Sequence, residues 1–302
     1  MIGINSVENF IGGDADLVKA ISKLGYNDTP FFNAVMKATP AKSAESWKGH
    51  AWRYETSPDG DDSNAHVEGS APAAATSSDL SSSLNHFQII KHTYGVTGSM
   101  EDKERSDGTS ELTNEGARSS IAHRKTIEKA IFGTQAPVQG VKSTSTAGVM
   151  GGLQNWLTVD NTLDLAGDLS MSLIRELLKL SYLNGQTCTH LYMGDKQKDA
   201  LDDLLSAKVN VNVGATTLEG TNYMTLKNMV YAQNVKVVLS PFVASDEILS
   251  VNHADLALVY QRLSKTEEIA RTKDAIEKEL ISELTLRVNN PFTVGKLSGL
   301  SV

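Results

Sequence analysis

The long stretch of small and polar residues at positions 55–87 limits the possible folds more than any other feature of the sequence. It reads ETSPDGDDSNAHVEGSAPAAATSSDLSSSLNHF and contains hardly any large apolar side chains. The segments on either side, SWKGHAWRYE and HFQIIKHTYGVTG, have the composition of β-strands. A loop this long is normally either functional or disordered. We therefore predict two strands that extend to a long tip with nothing of its own to bury.

Composition and charge exclude several classes of protein. The chain has 302 residues, 40% of them hydrophobic, which is enough for one large domain or two with a real core. Its net charge of −8 argues against a dedicated nucleic-acid-binding protein, because phosphate contacts need clustered Lys and Arg. The single cysteine, Cys188, rules out a disulfide framework within the chain. We find no signal peptide and no apolar run of the ~20 residues that would span a membrane, so we expect synthesis in the cytoplasm.

Helical and strand patterns along the chain predict the α+β class. Asp14 is placed to cap a short amphipathic helix near the N-terminus, and Pro30 is placed to begin another. Residues 110–132 predict the longest helix, which ends at Gly133. Its apolar positions are too few for a buried helix. We therefore expect it to lie on a sheet with much of its surface exposed or shared with a neighbour.

The rest of the chain is predicted from its periodicity. In the segment after the small-residue stretch, alternate residues from Gln88 to Val96 share one face, His92 and Tyr94 among them. From about residue 151 the pattern is that of a mixed α/β module, and two strands separated by a polar connector follow it. Helices are predicted at 169–182 and 196–205, and strands at 188–194, 235–239, 256–263 and 280–288.

No pattern in the sequence indicates an enzyme, a cofactor or a metal site. A glycine-rich phosphate loop, a serine nucleophile motif and a paired-histidine metal motif are all missing. The segment that begins at Asp59 is similar to a calcium loop but lacks the glycine at position six and the glutamate at position twelve. Cys188 has no visible partner base, so we expect a buried structural thiol. The histidines have no ligand spacing and are expected on the surface or in the core: His50, His66, His86, His92, His123, His190 and His253.

Both ends of the sequence resemble a known family. The stretch TPFFNAVMKATPAKSAESWKGHAW is similar to the start of the SU10-type major head proteins, in which a TPF-like motif leads through a short helix into a Trp-bearing strand. The closing stretch LVYQRLSKTEEIARTKDAIEKELISELTLRVNNPFTVGKLSGL is similar to the end of the same family. The order of arm, hairpin, long helix, α/β module and returning strands resembles the HK97 fold of tailed-phage major capsid proteins.

The resemblance implies a division of the chain into five parts. Residues 1–44 would form an N-terminal arm, and residues 45–98 the E-loop, a hairpin that lies across an adjacent subunit. Residues 99–149 would contain the spine helix of the P domain. Residues 150–254 would form the A domain, and residues 255–302 would return to complete the P-domain sheet. The surface that the hairpin needs would then be on a neighbouring copy of the chain.

Four aromatic residues of the hairpin stem are candidate anchors of a subunit interface, because aromatic side chains concentrate interface energy. They are Trp47, Trp52, Tyr54 and Tyr94. Each could equally pack within its own sheet.

The implied function is that of the major capsid protein of a tailed bacteriophage. It would self-assemble through pentamers and hexamers into an icosahedral shell that encloses double-stranded DNA and contacts it non-specifically. Further implied partners are a separate scaffolding protein, a portal and decoration proteins, with no membrane. The chain would assemble in the host cytoplasm and reside in the virion. Two alternatives are an encapsulin-like shell around an enzyme cargo and a mixed α/β hydrolase with an unrecognised site.

Overall fold

The computed structural model describes residues 28–39, 49–55, 60–72, 80–103, 108–206 and 225–301. In these ranges lie five α-helices, of which the two shortest are α1 (Pro30–Ala34) and α2 (Gly98–Glu101). Twelve strands form a four-stranded sheet, a six-stranded sheet and a two-stranded ribbon. The predicted α+β class is confirmed. The helix predicted after Asp14 and the candidate interface residue Trp47 lie outside the described residues.

The four-stranded sheet brings together segments that are far apart in the sequence. Its order is β1 (Met36–Ala38), β10 (Leu256–Glu268), β11 (Ala275–Val288) and β4 (Gln88–Thr97). The strand β1 is parallel to β10, and the other neighbours are antiparallel. The alternation predicted for β4 is confirmed, because every second residue from Ile90 is buried or half-buried on one face. The charged run predicted as a connector instead forms the ends of β10 and β11 and the turn between them.

The longest helix, α3 (Glu111–Phe132), packs on this sheet as predicted. Ser110 caps it, because its hydroxyl accepts a hydrogen bond from the Thr113 backbone N–H at 3.3 Å. The second half of α3 buries apolar residues in the core, Ile127 and Ile131 among them. The first half buries a polar row: Glu111, Glu115, Ser119 and His123. This polar row explains why the sequence offers so few apolar positions for a helix that lies on a sheet.

The six-stranded sheet has its own apolar core. Helix α4 (Met171–Leu183) packs against it, and Ile174, Leu177 and Leu178 are fully buried there. Each such side chain contributes about 1.5–3 kcal/mol when it is removed from water. Helix α5 (Asp195–Ser206) follows the sheet's central strand. In spatial order the strands are β5 (Thr162–Gly167), β12 (Gly295–Leu300), β9 (Ile248–Val251), β6 (His190–Met193), β8 (Ala232–Leu239) and β7 (Thr225–Met229).

The prediction that residues 255–302 all return to the sheet of α3 is wrong for the last strand. Although β10 and β11 do return, β12 pairs with β5 and β9 in the six-stranded sheet. The reason is a tight helical turn at Pro291–Thr293, which ends the path of β11 and redirects the chain. Leu297 and Leu300 are then buried in the second core.

The predicted pairing of the hairpin strands is also wrong. Strand β2 (His50–Glu55) pairs with β3 (Leu80–Asn85), which lies inside the small-residue stretch, while β4 belongs to the four-stranded sheet. The side chains of β3 are mostly exposed, so the backbone ladder to β2 holds the strand. A strand without a buried face has no hydrophobic alternation, and the sequence therefore gives no strand signal there.

Candidate assembly surface

The ribbon formed by β2 and β3 is anchored to the body of the protein at one end. Asn85, the last residue of β3, is fully buried. Its side-chain N–H groups donate to the backbone carbonyls of Leu286 at 2.7 Å and Gly151 at 3.2 Å, and its side-chain oxygen Oδ1 accepts from the Gly151 N–H at 2.8 Å. Just before the facing strand, a Cβ on Gly49 would come within 2.5 Å of the backbone carbonyl oxygen of Asn85. The base of the ribbon is therefore fixed in position by the polar contacts of Asn85, and the close approach of its backbone leaves no room for a side chain at Gly49.

Two of the four candidate aromatic anchors are buried within the subunit. Trp52 packs edge-to-face on Trp156, with ring centroids 5.2 Å apart, in the same core as α3. Tyr94 is buried on the face of β4 that contacts α3, where its hydroxyl lies over Gly116. For these two residues the surroundings favour the alternative, packing within their own subunit.

Tyr54 is the described candidate that remains partly accessible. It is half-buried on β2, and its ring meets that of Phe292 edge-on at 6.3 Å. The interface role of these aromatic side chains stays a prediction.

The rest of the ribbon has large surfaces that nothing in the described part of the chain covers. Leu80 is 60% exposed and Leu84 is 41% exposed. In the same described ranges β2 and β3 pair only with each other, so each keeps one outer edge of backbone donors and acceptors. A two-stranded ribbon is marginally stable in water at best. The distal ribbon is thus a structure that needs a second surface.

The hairpin is also strongly acidic. Between Arg53 and Lys91 the sequence has six carboxylates and neither Lys nor Arg. At the tip, Asp61 accepts hydrogen bonds from the backbone and side chain of Ser63 at 2.9 and 2.6 Å, which lower the pKa of its carboxyl. The Asp61 carboxylate is therefore ionised at neutral pH and adds negative charge to the exposed tip.

The outward face of α3 has the opposite charge. Arg118, Lys125 and Lys129 recur at spacings of seven and four residues, so they lie along one face over about 16 Å. The Arg118 side chain is 59% exposed, Lys129 is exposed and Lys125 is half-buried. The three carboxylates of α3, at positions 111, 115 and 128, are all buried. The helix therefore presents cations outward although the chain as a whole is acidic.

The N-terminal segment is held to α3 by a buried carboxylate. Helix α1 (Pro30–Ala34) begins at the predicted proline, and Glu128 accepts hydrogen bonds from the backbone N–H groups of Phe31 at 3.0 Å and Phe32 at 2.7 Å. Burial raises the pKa of Glu128 to about 7, against the lowering effect of these two donors. The Phe31 ring packs edge-on against Phe132 at 5.3 Å. The start of the described chain is thus fixed on the body.

The buried titratable groups form neither a catalytic nor a metal arrangement. The rings of His190 and His253 have centroids 4.0 Å apart and are tilted by 59° to each other, and His253 Nε2 lies 2.8 Å from the Tyr192 hydroxyl. Burial lowers the pKa of His190 to about 4 and that of His253 to about 3, so both rings are neutral. Burial also raises the pKa of the Cys188 thiol to about 12, as expected of a structural thiol. Among the residues described, no group of three or more His, Cys, Asp or Glu could hold a metal ion.

The described part of the chain contains no helix that is long and apolar enough to cross a membrane.

A groove of about 340 Å³ lies at the base of the ribbon, where Phe87 and Ile89 face the turn at residues 139–148.

Comparison with known proteins agrees with this geometry. The family model of the SU10 major capsid protein matches residues 4–301. None of the curated proteins matches the sequence.

Solved structures with the same fold come from phage capsids and from an encapsulin. The capsid asymmetric unit of cyanophage A-1(L) is 15% identical, with a TM-score of 0.71 over 98% of each chain. The capsid of cyanophage P-SCSP1u is 8% identical, with a TM-score of 0.63 over 94% of this chain and 91% of that one. The holo-SrpI encapsulin complex of Synechococcus elongatus PCC 7942 is 11% identical, with a TM-score of 0.61 over 95% and 93%. At these identities the likeness shows the fold.

Proposed function

The chain belongs to the SU10 major capsid protein family and is a phage major capsid protein, and we propose that its copies assemble as pentamers and hexamers into an icosahedral shell around double-stranded DNA. The observation that best supports this mode of assembly is the ribbon of β2 and β3. It is fixed at its base by Asn85, yet its distal surface has no partner within the described part of its own subunit.

We infer that the ribbon of one copy lies on the neighbouring copy, and that the outward face of α3 is part of the surface that receives it. The hairpin has six carboxylates and no Lys or Arg between residues 53 and 91, while α3 presents Arg118, Lys125 and Lys129. Opposite charges steer two surfaces together and fix their relative position. Because different surfaces of each copy meet, the contact is heterologous, and such contacts generate closed rings.

The domain roles proposed for the chain follow from this arrangement. Residues 1–44 would be the arm and 45–98 the hairpin loop, while α3 with the four-stranded sheet would form the P domain. The six-stranded sheet, with β12 included, would form the A domain and turn its free loops towards the ring axes. The role is structural, with no catalytic residue. A scaffold, a portal and decoration proteins would be further partners, and assembly would take place in the host cytoplasm.

A second candidate function is a protein compartment around an enzyme cargo. The observation that favours this second function is the likeness to the holo-SrpI encapsulin complex, which has the same fold. The contents of the particle distinguish the two functions. Shells purified from producing cells should contain double-stranded DNA if the chain is a capsid protein, and a co-purifying protein if it is a compartment.

The test of assembly is negative-stain electron microscopy of the chain with light scattering on the same sample. We expect closed shells, or rings of five and six subunits, from the wild type. The variant with Arg118, Lys125 and Lys129 all changed to Glu should remain in small oligomers because the acidic ribbon is repelled. The control changes three exposed lysines elsewhere, Lys142, Lys196 and Lys227, to Glu, with the same change in net charge. Equal assembly of both variants would contradict the proposed contact.

A further inference from the structure

The first half of α3 meets the sheet through an unusual pair of histidines. His92 on β4 and His123 on α3 have ring centroids 5.2 Å apart, and their Nδ1 atoms lie 3.1 Å from each other. His92 Nε2 lies 3.4 Å from the Thr126 hydroxyl, and His123 Nε2 lies 2.7 Å from the hydroxyl of Ser282 on β11. All four ring nitrogens therefore have a partner.

The hydrogen bonds assign one tautomer to each ring. The Thr126 hydroxyl donates to the Ala122 carbonyl at 2.9 Å, so it accepts from His92 Nε2–H. His92 Nδ1 is then the acceptor, and His123 Nδ1–H donates to it. His123 Nε2 accepts from the Ser282 hydroxyl. The chain of donors is complete when both rings are neutral, and it cannot be completed when both rings are charged.

Added protons disrupt this chain in two steps. A first proton on His92 Nδ1 can be accommodated if His123 exchanges its tautomer and Ser282 turns to accept, but it leaves a positive charge on the half-buried His92 next to the buried His123. A second proton places two N–H donors against each other across 3.1 Å. The pair can take up the second proton only if the two rings move apart, which an opening between α3 and β4 provides.

None of the charged groups that the structure describes on the neighbouring elements is placed as a counter-ion to the pair. On α3, Glu115 lies two turns before His123 and is engaged by Arg118 at 2.7 Å. On the sheet, strand alternation places Lys278 of β11 and Glu268 of β10 on the same face, opposite each other, beside Tyr94 rather than His92. Lys91 is on the other face, where it pairs with Glu279. Burial lowers the pKa of both histidines, and that of His123, which His92 lowers further, falls to about 4.

The packing on either side of the pair limits the opening to one half of the helix. Ile127, Ile131 and Phe132 fix the second half of α3 in the apolar core. The first half contacts the sheet with a polar row, in which the Ser119 hydroxyl is buried and has no hydrogen-bond partner among the described residues. Polar contact of this kind holds the helix less firmly than the apolar contact beyond it.

We propose that the His92–His123 pair is a proton-sensitive joint, which releases the first half of α3 from the four-stranded sheet in mild acid while the second half stays packed. The joint belongs to the single subunit and does not depend on the proposed assembly. In a shell it would let acid change the position of the longest helix of every subunit.

Amide hydrogen exchange of the full-length chain, corrected for intrinsic rates and measured from pH 7 to pH 4.5, tests the joint. Folded histidines with lowered pKa values support the packed state above about pH 6.5, and this support is lost as the pH falls towards 4. The opening constant of residues 111–124 should therefore rise about 10- to 100-fold per pH unit, for one or two protons taken up. Protection of residues 127–132 and of α4 should change far less.

The variant His92→Gln is the matched test, since its amide can accept from His123 Nδ1–H and donate to Thr126 without titrating. Residues 111–124 should then show a clearly shallower dependence on pH. The control is His66→Gln, which removes an exposed histidine of the hairpin tip. The joint is refuted if wild-type protection of residues 111–124 is independent of pH, if all segments lose protection together, or if His92→Gln behaves as the wild type. Should His92→Gln fail to fold, the wild-type pH series decides alone.

Discussion

The six-stranded sheet and the ribbon of β2 and β3 are stabilised in opposite ways. The sheet covers its own apolar residues with α4, so its stability comes from within the subunit. The ribbon has exposed leucines, its strands pair with no other strand of the described residues, and it is fixed to the body by Trp52 and by one buried amide at its base. The difference separates a part of the subunit that is stabilised by its own core from a part that, in our proposal, a second copy completes.

The largest effect is expected in the six-stranded sheet. Leu177→Ala removes a fully buried side chain from the core beneath α4 and should lower the free energy of unfolding by about 2–5 kcal/mol. Urea unfolding of unassembled subunits measures this. Leu183→Ala, at an exposed position of the same helix, is the control. A loss below about 1 kcal/mol would mean that the sheet does not depend on its own core.

The attachment of the N-terminal segment should depend on pH. The raised pKa of Glu128 means that the folded subunit keeps a proton that the unfolded chain releases between pH 4.5 and about 7. Its contribution to stability is therefore complete below pH 4.5 and is lost as the pH rises through 7. Glu128→Gln should remove up to about 3 kcal/mol of this dependence, measured by urea unfolding at pH 5 and pH 8. The exposed Glu176→Gln should leave the dependence unchanged, and equal slopes in wild type and Glu128→Gln would contradict the assignment.

The base of the ribbon should be sensitive to a single amide. Asn85→Ala leaves the Gly151 N–H and the Leu286 carbonyl buried without their partner, which costs about 1–3 kcal/mol. The ribbon should also exchange its amide hydrogens faster, because its base is no longer fixed. Asn64→Ala in the exposed tip should change neither quantity. Unaltered unfolding of Asn85→Ala would show that the ribbon is held by other means.

The smallest effect on the isolated subunit is expected on the distal ribbon. Changing Leu80 and Leu84 to Ser should alter the free energy of unfolding by less than about 0.5 kcal/mol, because both side chains are already exposed. The same variant should assemble poorly, as seen by light scattering. Normal assembly of this variant would show that the exposed leucines of the distal ribbon are not part of the subunit interface.

Periodicity made much of the fold predictable from the sequence. Helix α3 and the buried face of β4 were predicted because an apolar or capping pattern marks each of them. Strand β3 was missed because it buries no face, and β12 was assigned to the wrong sheet because either sheet accepts its apolar alternation. Neither error could be corrected from local sequence alone.

The candidate site was less predictable than the fold. Asn85 stands in a serine-rich segment where an asparagine indicates a loop, and its partners lie 66 and 201 residues away. The pairing of His92 with His123 depends on the packing of a helix on a strand, which spacing in the sequence does not show. The aromatic residues of the hairpin stem suggested interface anchors. Trp52 and Tyr94 are instead buried within their own subunit, because the ribbon and β4 pack against its core.

The central claim is that a neighbouring copy completes the ribbon. Amide hydrogen exchange of β2 and β3, compared between assembled particles and dispersed subunits under the same conditions, tests it directly. We predict that the outward-facing amides of both strands exchange at least about tenfold more slowly in particles, because the neighbour covers the ribbon and its free edges. Exchange at the same rate in both forms, while other surfaces gain protection, would show that the ribbon stays exposed and would contradict the claim.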